Sequence, residues 1–200
     1  MLEPAFELWG NTVSRLELLA FALALACIVQ QVRERHWAWP LAFLASLLYV
    51  WLFAASKLYG EAAVNLFFAG AALWGWWQWL FGRRRHETGP LRVAALTRGG
   101  RLIAAAAWLA LWAAIAWLLA QATDSDVPLA DAFVTAGSVV GTVLLGRKFI
   151  ENWWVWLVVN AASVALFLYK ALWLTAILYA IFFALAIWGL VRWRGQLAHV

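Results

Sequence analysis

Seven apolar runs take up nearly the whole chain, at roughly residues 16–32, 39–55, 61–81, 101–120, 131–146, 152–169 and 173–191. Each comes close to the about 20 residues that cross a hydrocarbon core of about 30 Å as a helix. Lipid offers the backbone no hydrogen-bond partner, so all seven are predicted to be helices. Period-two alternation is absent, and no strand is expected. Of the 200 residues, 66% are hydrophobic and 12% charged, with mean hydropathy +0.80. A soluble domain of this size has too little interior to hide that much apolar surface. The fold class is therefore an all-α polytopic membrane protein with seven transmembrane helices. The first run follows Glu3 and Glu7 rather than a basic segment, so it is not read as a cleaved signal peptide.

Charge sets the expected orientation. Seven crossings put the termini on opposite sides. Twelve basic residues fall on the side of the C-terminus: Arg33, Arg35, Arg83 to Arg85, Arg92, Arg98, Arg101, Arg147, Lys148, Arg192 and Arg194. Three, Arg15, Lys57 and Lys170, fall on the other. The positive-inside rule then places the N-terminus outside and the C-terminus in the cytoplasm, across a bacterial inner membrane. The RRRH run at 83–86 reads as a topology signal, not a nucleic-acid site. His36, His86 and His199 are scattered, so no metal is expected, and the lone Cys27 excludes an internal disulfide.

A shift of 114 residues aligns the chain with itself. Trp39 falls on Trp153, Phe53 on Phe167, Leu58 on Leu172, Phe68 on Phe182, Trp74-Gly75 on Trp188-Gly189 and Trp79 on Trp193. Arg33 falls on Arg147, and Glu17 on Asp131. Runs 1–3 (16–81) and 5–7 (131–193) therefore read as copies of a three-helix unit. An odd-numbered unit repeated directly would flip in the membrane. The stretch 82–120, a basic loop and an apolar helix, restores the orientation. The expected architecture is 3+1+3 with parallel repeats, an arrangement that places a substrate site near the midplane.

Polar side chains inside the runs are the candidates to line that site. At about 100° per residue, Trp153, Trp156, Asn160 and Ser163 share one face of the sixth helix, while Trp154, Val158 and Ala165 point elsewhere. The matching face of the first copy carries Trp39, Ala42, Ser46 and Tyr49. Asn65 corresponds to Tyr179, and Thr135, Ser138 and Thr142 add hydroxyls to the fifth helix. The candidate substrate-binding set is Trp153, Trp156, Asn160, Asn65, Ser46, Tyr49, Thr142, Ser138 and Tyr179. Serine and threonine in membrane helices also bond back to their own backbone. Trp39, Trp79 and Trp193 read as membrane-interface anchors, and Gly75 and Gly189 as sites of close helix packing. No Asp, Glu, Lys or Arg lies near the middle of a run, so nothing suggests ion coupling. No cofactor motif, nucleophile with a base, or ATP-binding part is present. Facilitated diffusion follows, without an enzymatic activity.

The blocks WPLAFLASLLYVWLFAASKLY, LWGWWQW, DAFVTAGSVVGTVLLGRKFIENWWVWLVVN and LYKALWLTAILYAIFFALAIWGLVRW resemble the Pnu family of bacterial vitamin transporters. The likeness runs from about residue 16 to 193 and is sharpest at Trp153, Trp156 and Asn160. It implies a 3+1+3 fold like that of the SWEET sugar carriers. It also implies uptake of a vitamin, foremost the NAD precursor nicotinamide riboside, made one-way by a cytoplasmic kinase. Thiamine and riboflavin are carried by relatives, and a sugar is the more remote alternative. The chain departs from the family pattern at Asn65 and Thr142, where glutamine is frequent, and at Ala42, where glycine is. A cationic ring such as nicotinamide riboside gains from stacking between the indoles of Trp153 and Trp156, on the order of 2 kcal/mol when desolvated. The expected partners are the vitamin, the bilayer and functionally the kinase. Assembly into a homo-oligomer is left open.

Overall fold

The computed structural model describes residues 4–8, 11–55, 59–83, 89–122 and 126–197. The chain divides into two compact units, Met1–Leu91 and Arg92–Val200. Leu58, Lys57, Arg84, Arg85, His86 and His199 lie outside the described residues.

The first unit opens with a feature the sequence reading did not expect. Strand β1 (Pro4–Leu8) pairs antiparallel with β2 (Asn11–Ser14), with Phe6 opposite Val13 and Glu7 opposite Thr12. This hairpin precedes the first apolar run, so the rule that only helices satisfy their backbone in lipid does not govern it. Phe6, Thr12 and Val13 are residues that favour strands. The signal is too short to register as alternation. Three helices follow: α1 (Arg15–Val32), α2 (Ala38–Ala55) and α3 (Tyr59–Phe81). Pro40 sits in the first turn of α2, where its missing N–H costs nothing.

The second unit holds α4 (Arg98–Ala122), α5 (Pro128–Gly146), α6 (Glu151–Tyr169) and α7 (Trp173–Leu197). All four are long and apolar enough to cross a membrane. Helix α4 is almost wholly unburied by protein, with Leu102 and Ile103 more than two-thirds exposed, as suits a lipid-facing surface. It is not featureless, however. Trp108 Nε1 donates to Phe133 O (3.1 Å) and Trp112 Nε1 to Leu129 O (2.8 Å), which dock α4 antiparallel onto α5. An indole N–H gives an otherwise apolar helix a donor that its hydropathy does not register. Between Leu91 and α4, Ala94 forms a bridge with the α5–α6 turn: Ala94 N donates to Lys148 O (3.1 Å) and Ile150 N to Ala94 O (2.9 Å).

Helix ends recur at the offset read from the sequence. The ends of α1 and α5, the ends of α2 and α6, and the starts of α3 and α7 are each 114 residues apart. Helices α1 and α5 also stop in the same way. Glu34 (φ 54°) and Lys148 (φ 52°) take the left-handed conformation. In each, the next N–H reaches back five residues: Arg35 to Gln30 O and Phe149 to Leu144 O, both 2.9 Å. This pattern closes the exposed carbonyls of a helix end.

The two cores share one device. In the first unit, the Trp39 ring lies directly against Gly75 and meets Trp79 edge-on at 5.6 Å and 84°. In the second, a Cβ on Gly189 would come within 2.6 Å of Trp153, and Trp153 meets Trp193 edge-on at 5.3 Å and 87°. Trp39, Trp79 and Trp193 are thus buried helix-packing residues, not interface anchors. An indole-rich stripe at a helix end has the same composition in both roles. Only the glycine opposite tells them apart.

Candidate functional site

Helix α6 presents the candidate face as the helical wheel predicts. Trp153, Asn160 and Ser163 are buried, while Trp154, Val158 and Ala165 are exposed. Its first turn is fixed by Asn152, whose Nδ2 donates to Phe149 O at 2.6 Å. The two tryptophans of the motif do not form one cage within this unit. Trp153, 2% exposed, is enclosed by Trp193 and Gly189 of α7. Trp156 is half-buried and turns towards α5, where a Cβ on Gly141 would stand 3.1 Å from its Cε2. One turn earlier, Gly137 receives Trp108 of α4 and Val159 of α6, each about 2.5 Å from where a Cβ would sit. Gly137 and Gly141 thus form the bare stripe that lets α4 and α6 approach α5.

Asn160 is 3% exposed, and Ser163 Oγ is buried without a hydrogen-bond partner. Trp153 Nε1 and Asn152 Oδ1 are likewise buried and unpaired. Buried polar atoms normally find partners, so this concentration along one helix is unusual. On α5 the hydroxyls are bonded locally. Thr135 donates to Asp131 O (2.9 Å), Ser138 to Val134 O (2.8 Å) and Thr142 to Ser138 O (2.8 Å). Their protons are committed, but each oxygen can still accept. Tyr179 belongs to an aromatic cluster, tilted against Phe167 at 5.1 Å and edge-on to Phe182 at 5.5 Å. In the first unit, Ser46, Tyr49 and Asn65 are all half-buried.

Two contacts in the first unit carried no signal in the spacing. Trp76 Nε1 donates to His36 Nδ1 (3.3 Å), across 40 residues of sequence, and Cys27 Sγ donates to Ala38 O (3.3 Å). They join α1, the α1–α2 turn and α3. Among the described residues, no group of His, Cys, Asp or Glu could hold a metal ion.

Apolar helices, four of them long enough to cross a membrane, with buried amide and hydroxyl groups define a multi-pass membrane protein. Residues 14–195 match the nicotinamide mononucleotide transporter family, and the chain belongs to it. It is 29% identical over 193 residues to the riboflavin/roseoflavin transporter RibM of Streptomyces davaonensis, covering 94% of this chain and 89% of that one. It is 23% identical over 212 residues to the nicotinamide riboside transporter PnuC of Escherichia coli, covering 92% and 87%. A crystal structure of the vitamin B3 transporter PnuC superposes with a TM-score of 0.73 over 92% of this chain and 82% of that one, at 21% identity. These family and structural relatives are transporters, not enzymes.

Proposed function

We propose that the chain is a facilitative vitamin transporter whose cargo is riboflavin or a close flavin analogue. Trp156, Asn160 and Ser163 would form the part of the site on the second unit. The observation that carries the choice of cargo is the enclosure of Trp153. The family resemblance implies nicotinamide riboside first, and two indoles on one face suit its cationic ring. With Trp153 spent on Trp193 and Gly189, one indole remains on this face, and the cation loses half its cage. A neutral, wide ring can stack on a single indole and hydrogen-bond through its edge to an amide and a hydroxyl. The greater identity to RibM than to E. coli PnuC supports the same direction. Nicotinamide riboside stands as the second reading, supported by the family match and the PnuC relatives.

In this reading the two three-helix sets are parallel copies joined by α4, as in SWEET carriers. The N-terminus is outside, and the basic C-terminal side faces the cytoplasm. As the resemblance to the Pnu family implies, a cytoplasmic kinase would make uptake one-way. The test is calorimetric binding of riboflavin, nicotinamide riboside, thiamine and glucose to the purified chain, with Trp156→Ala and Asn160→Ala beside the wild type. Riboflavin should bind tightest, and both variants should lose binding while remaining folded, with Trp156→Ala melting lower because its ring also packs against Gly141. Tighter nicotinamide riboside would install the second reading. Undiminished affinity in both variants would defeat the site itself. Ser46, Tyr49, Asn65, Ser138, Thr142 and Tyr179 are tested one by one in the same assay.

A further inference from the structure

We propose that the basic end of the second unit carries a binding site for a phosphate-bearing anion, suited to the headgroup of an anionic phospholipid. A cavity of about 410 Å³ opens there between Ala95, Arg101, Ile150, Glu151, Trp154, Arg194 and Leu197. It lies apart from Asn160 and Ser163 along α6 and does not depend on which vitamin is carried.

The charges in the cavity do not cancel. Glu151 is mostly buried, and both its oxygens are engaged: Oε1 accepts from Arg101 Nε and Oε2 from the Leu96 N–H, each at 3.0 Å. Arg194 is held differently. Its guanidinium stands 5.3 Å from the centre of the Trp154 ring. A cation over an indole is oriented without being neutralised. Two arginines face one carboxylate, leaving one positive charge in the lining. The wider field has the same sign. Arg98, Arg147, Lys148 and Arg192 lie at this end of the unit, where α4 and α6 begin and α5 and α7 finish. A planar guanidinium pairs with two phosphate oxygens at once, which makes arginine the natural partner for this group.

The walls specify what the phosphate is attached to. Ala95, Ile150 and Leu197 are apolar, and Trp154 is half exposed at a helix end. Indoles at such positions sit at headgroup level. Basic pockets between membrane helices bind anionic headgroups for these combined reasons. A volume in the range of about 300–1,000 Å³ holds a small ligand. The site is also absent from the repeat pattern. At the offset of 114, Glu151, Trp154 and Arg194 correspond to Trp37, Pro40 and Leu80, so none of the three is inherited from the shared scaffold.

The test uses the purified, delipidated full chain in neutral detergent. Native mass spectrometry and thermal melting are followed with phosphatidylglycerol, with phosphatidylcholine and with inorganic phosphate. Phosphatidylglycerol should be retained and should raise Tm, whereas phosphatidylcholine should do neither. Arg194→Gln should lower retention about tenfold, the scale of one charged hydrogen bond, and Arg194→Lys should restore part of it. Both variants should still bind the vitamin, which separates a lost anion site from a lost fold. If inorganic phosphate protects as well as the lipid and displaces it, the same arginines serve a soluble phosphate. Equal retention by wild type and Arg194→Gln, or equal protection by phosphatidylcholine, would overturn the site.

Discussion

Helices α2 and α6 begin alike and then part company. Each places a tryptophan in its first turns, Trp39 or Trp153, against a glycine and a second tryptophan of the next helix along the chain. The ring separations differ by only a few tenths of an ångström. Further along, the same helical face reads Ala42, Ser46 and Tyr49 in α2 but Trp156, Asn160 and Ser163 in α6. The packing device is the same in both units, while the proposed lining differs. Packing is intolerant, because an indole against a bare backbone leaves no slack. A lining facing a ligand must instead match an asymmetric molecule.

That contrast makes the shared tryptophans the most sensitive positions. Trp39→Ala and Trp153→Ala should each cost about 3–5 kcal/mol, the range for emptying an aromatic site in a core. The two losses should be similar, read as a fall in thermal midpoint or in resistance to denaturant. If Trp153→Ala instead melts normally and loses only vitamin affinity, the indole belongs to the site and the enclosure argument fails. A smaller effect is expected from the partner glycines. At Gly189 a methyl group would stand 2.6 Å from Trp153 Cε2, and at Gly75 it would press into Trp39. Gly75→Ala and Gly189→Ala should destabilise by about 1–3 kcal/mol, the usual range for overpacking.

These residues also mark where the sequence was legible. Among the described residues each of the seven runs is a helix, and four are long and apolar enough to cross a membrane. The 114-residue offset located the Trp–Gly pairs, because an identical packing demand leaves identical residues. Their role was harder to read. Tryptophan near a helix end serves equally at a lipid interface and in a helix crossing, and spacing along one helix does not say which neighbour it meets. The same limit hid the docking of Trp108 and Trp112 on α5, the Trp76–His36 bond, and the cavity at Arg194. All are contacts between segments far apart in sequence. The hairpin escaped notice for another reason. Five and four residues are too few for periodicity to speak.

Swapping the lining tests the other half of the contrast. Trp156→Ala with Asn160→Ser gives α6 the residues that α2 carries at Ala42 and Ser46. The protein should fold but melt somewhat lower, since the Trp153–Gly189 clasp is kept while Trp156 leaves its contact with Gly141 of α5. Vitamin affinity should fall at least about tenfold, because a stacking face and an amide are lost together. Retained affinity would mean that the two copies are chemically interchangeable, and that the difference between them does not set the cargo.

The smallest expected effect concerns an ion pair present in one copy. Lys170 Nζ contacts both oxygens of Asp131, at 3.0 and 3.2 Å, tying the start of α5 to the end of α6. At the offset of 114 the acid recurs as Glu17, but the lysine is replaced by Ser56, so the first copy lacks the same pair. Both side chains keep about a quarter to a third of their exposure. Water and salt therefore screen the attraction, and holding a long lysine in place costs entropy. Lys170→Ser should lower stability by about 0.2–1 kcal/mol. The difference from wild type should vanish in about 1 M salt, where screening reaches only about 3 Å. Melting curves of the two proteins at low and high salt check both points. A loss well above that range, insensitive to salt, would mean that the pair is shielded from water and fastens α5 to α6 as firmly as the tryptophan clasp fastens α6 to α7.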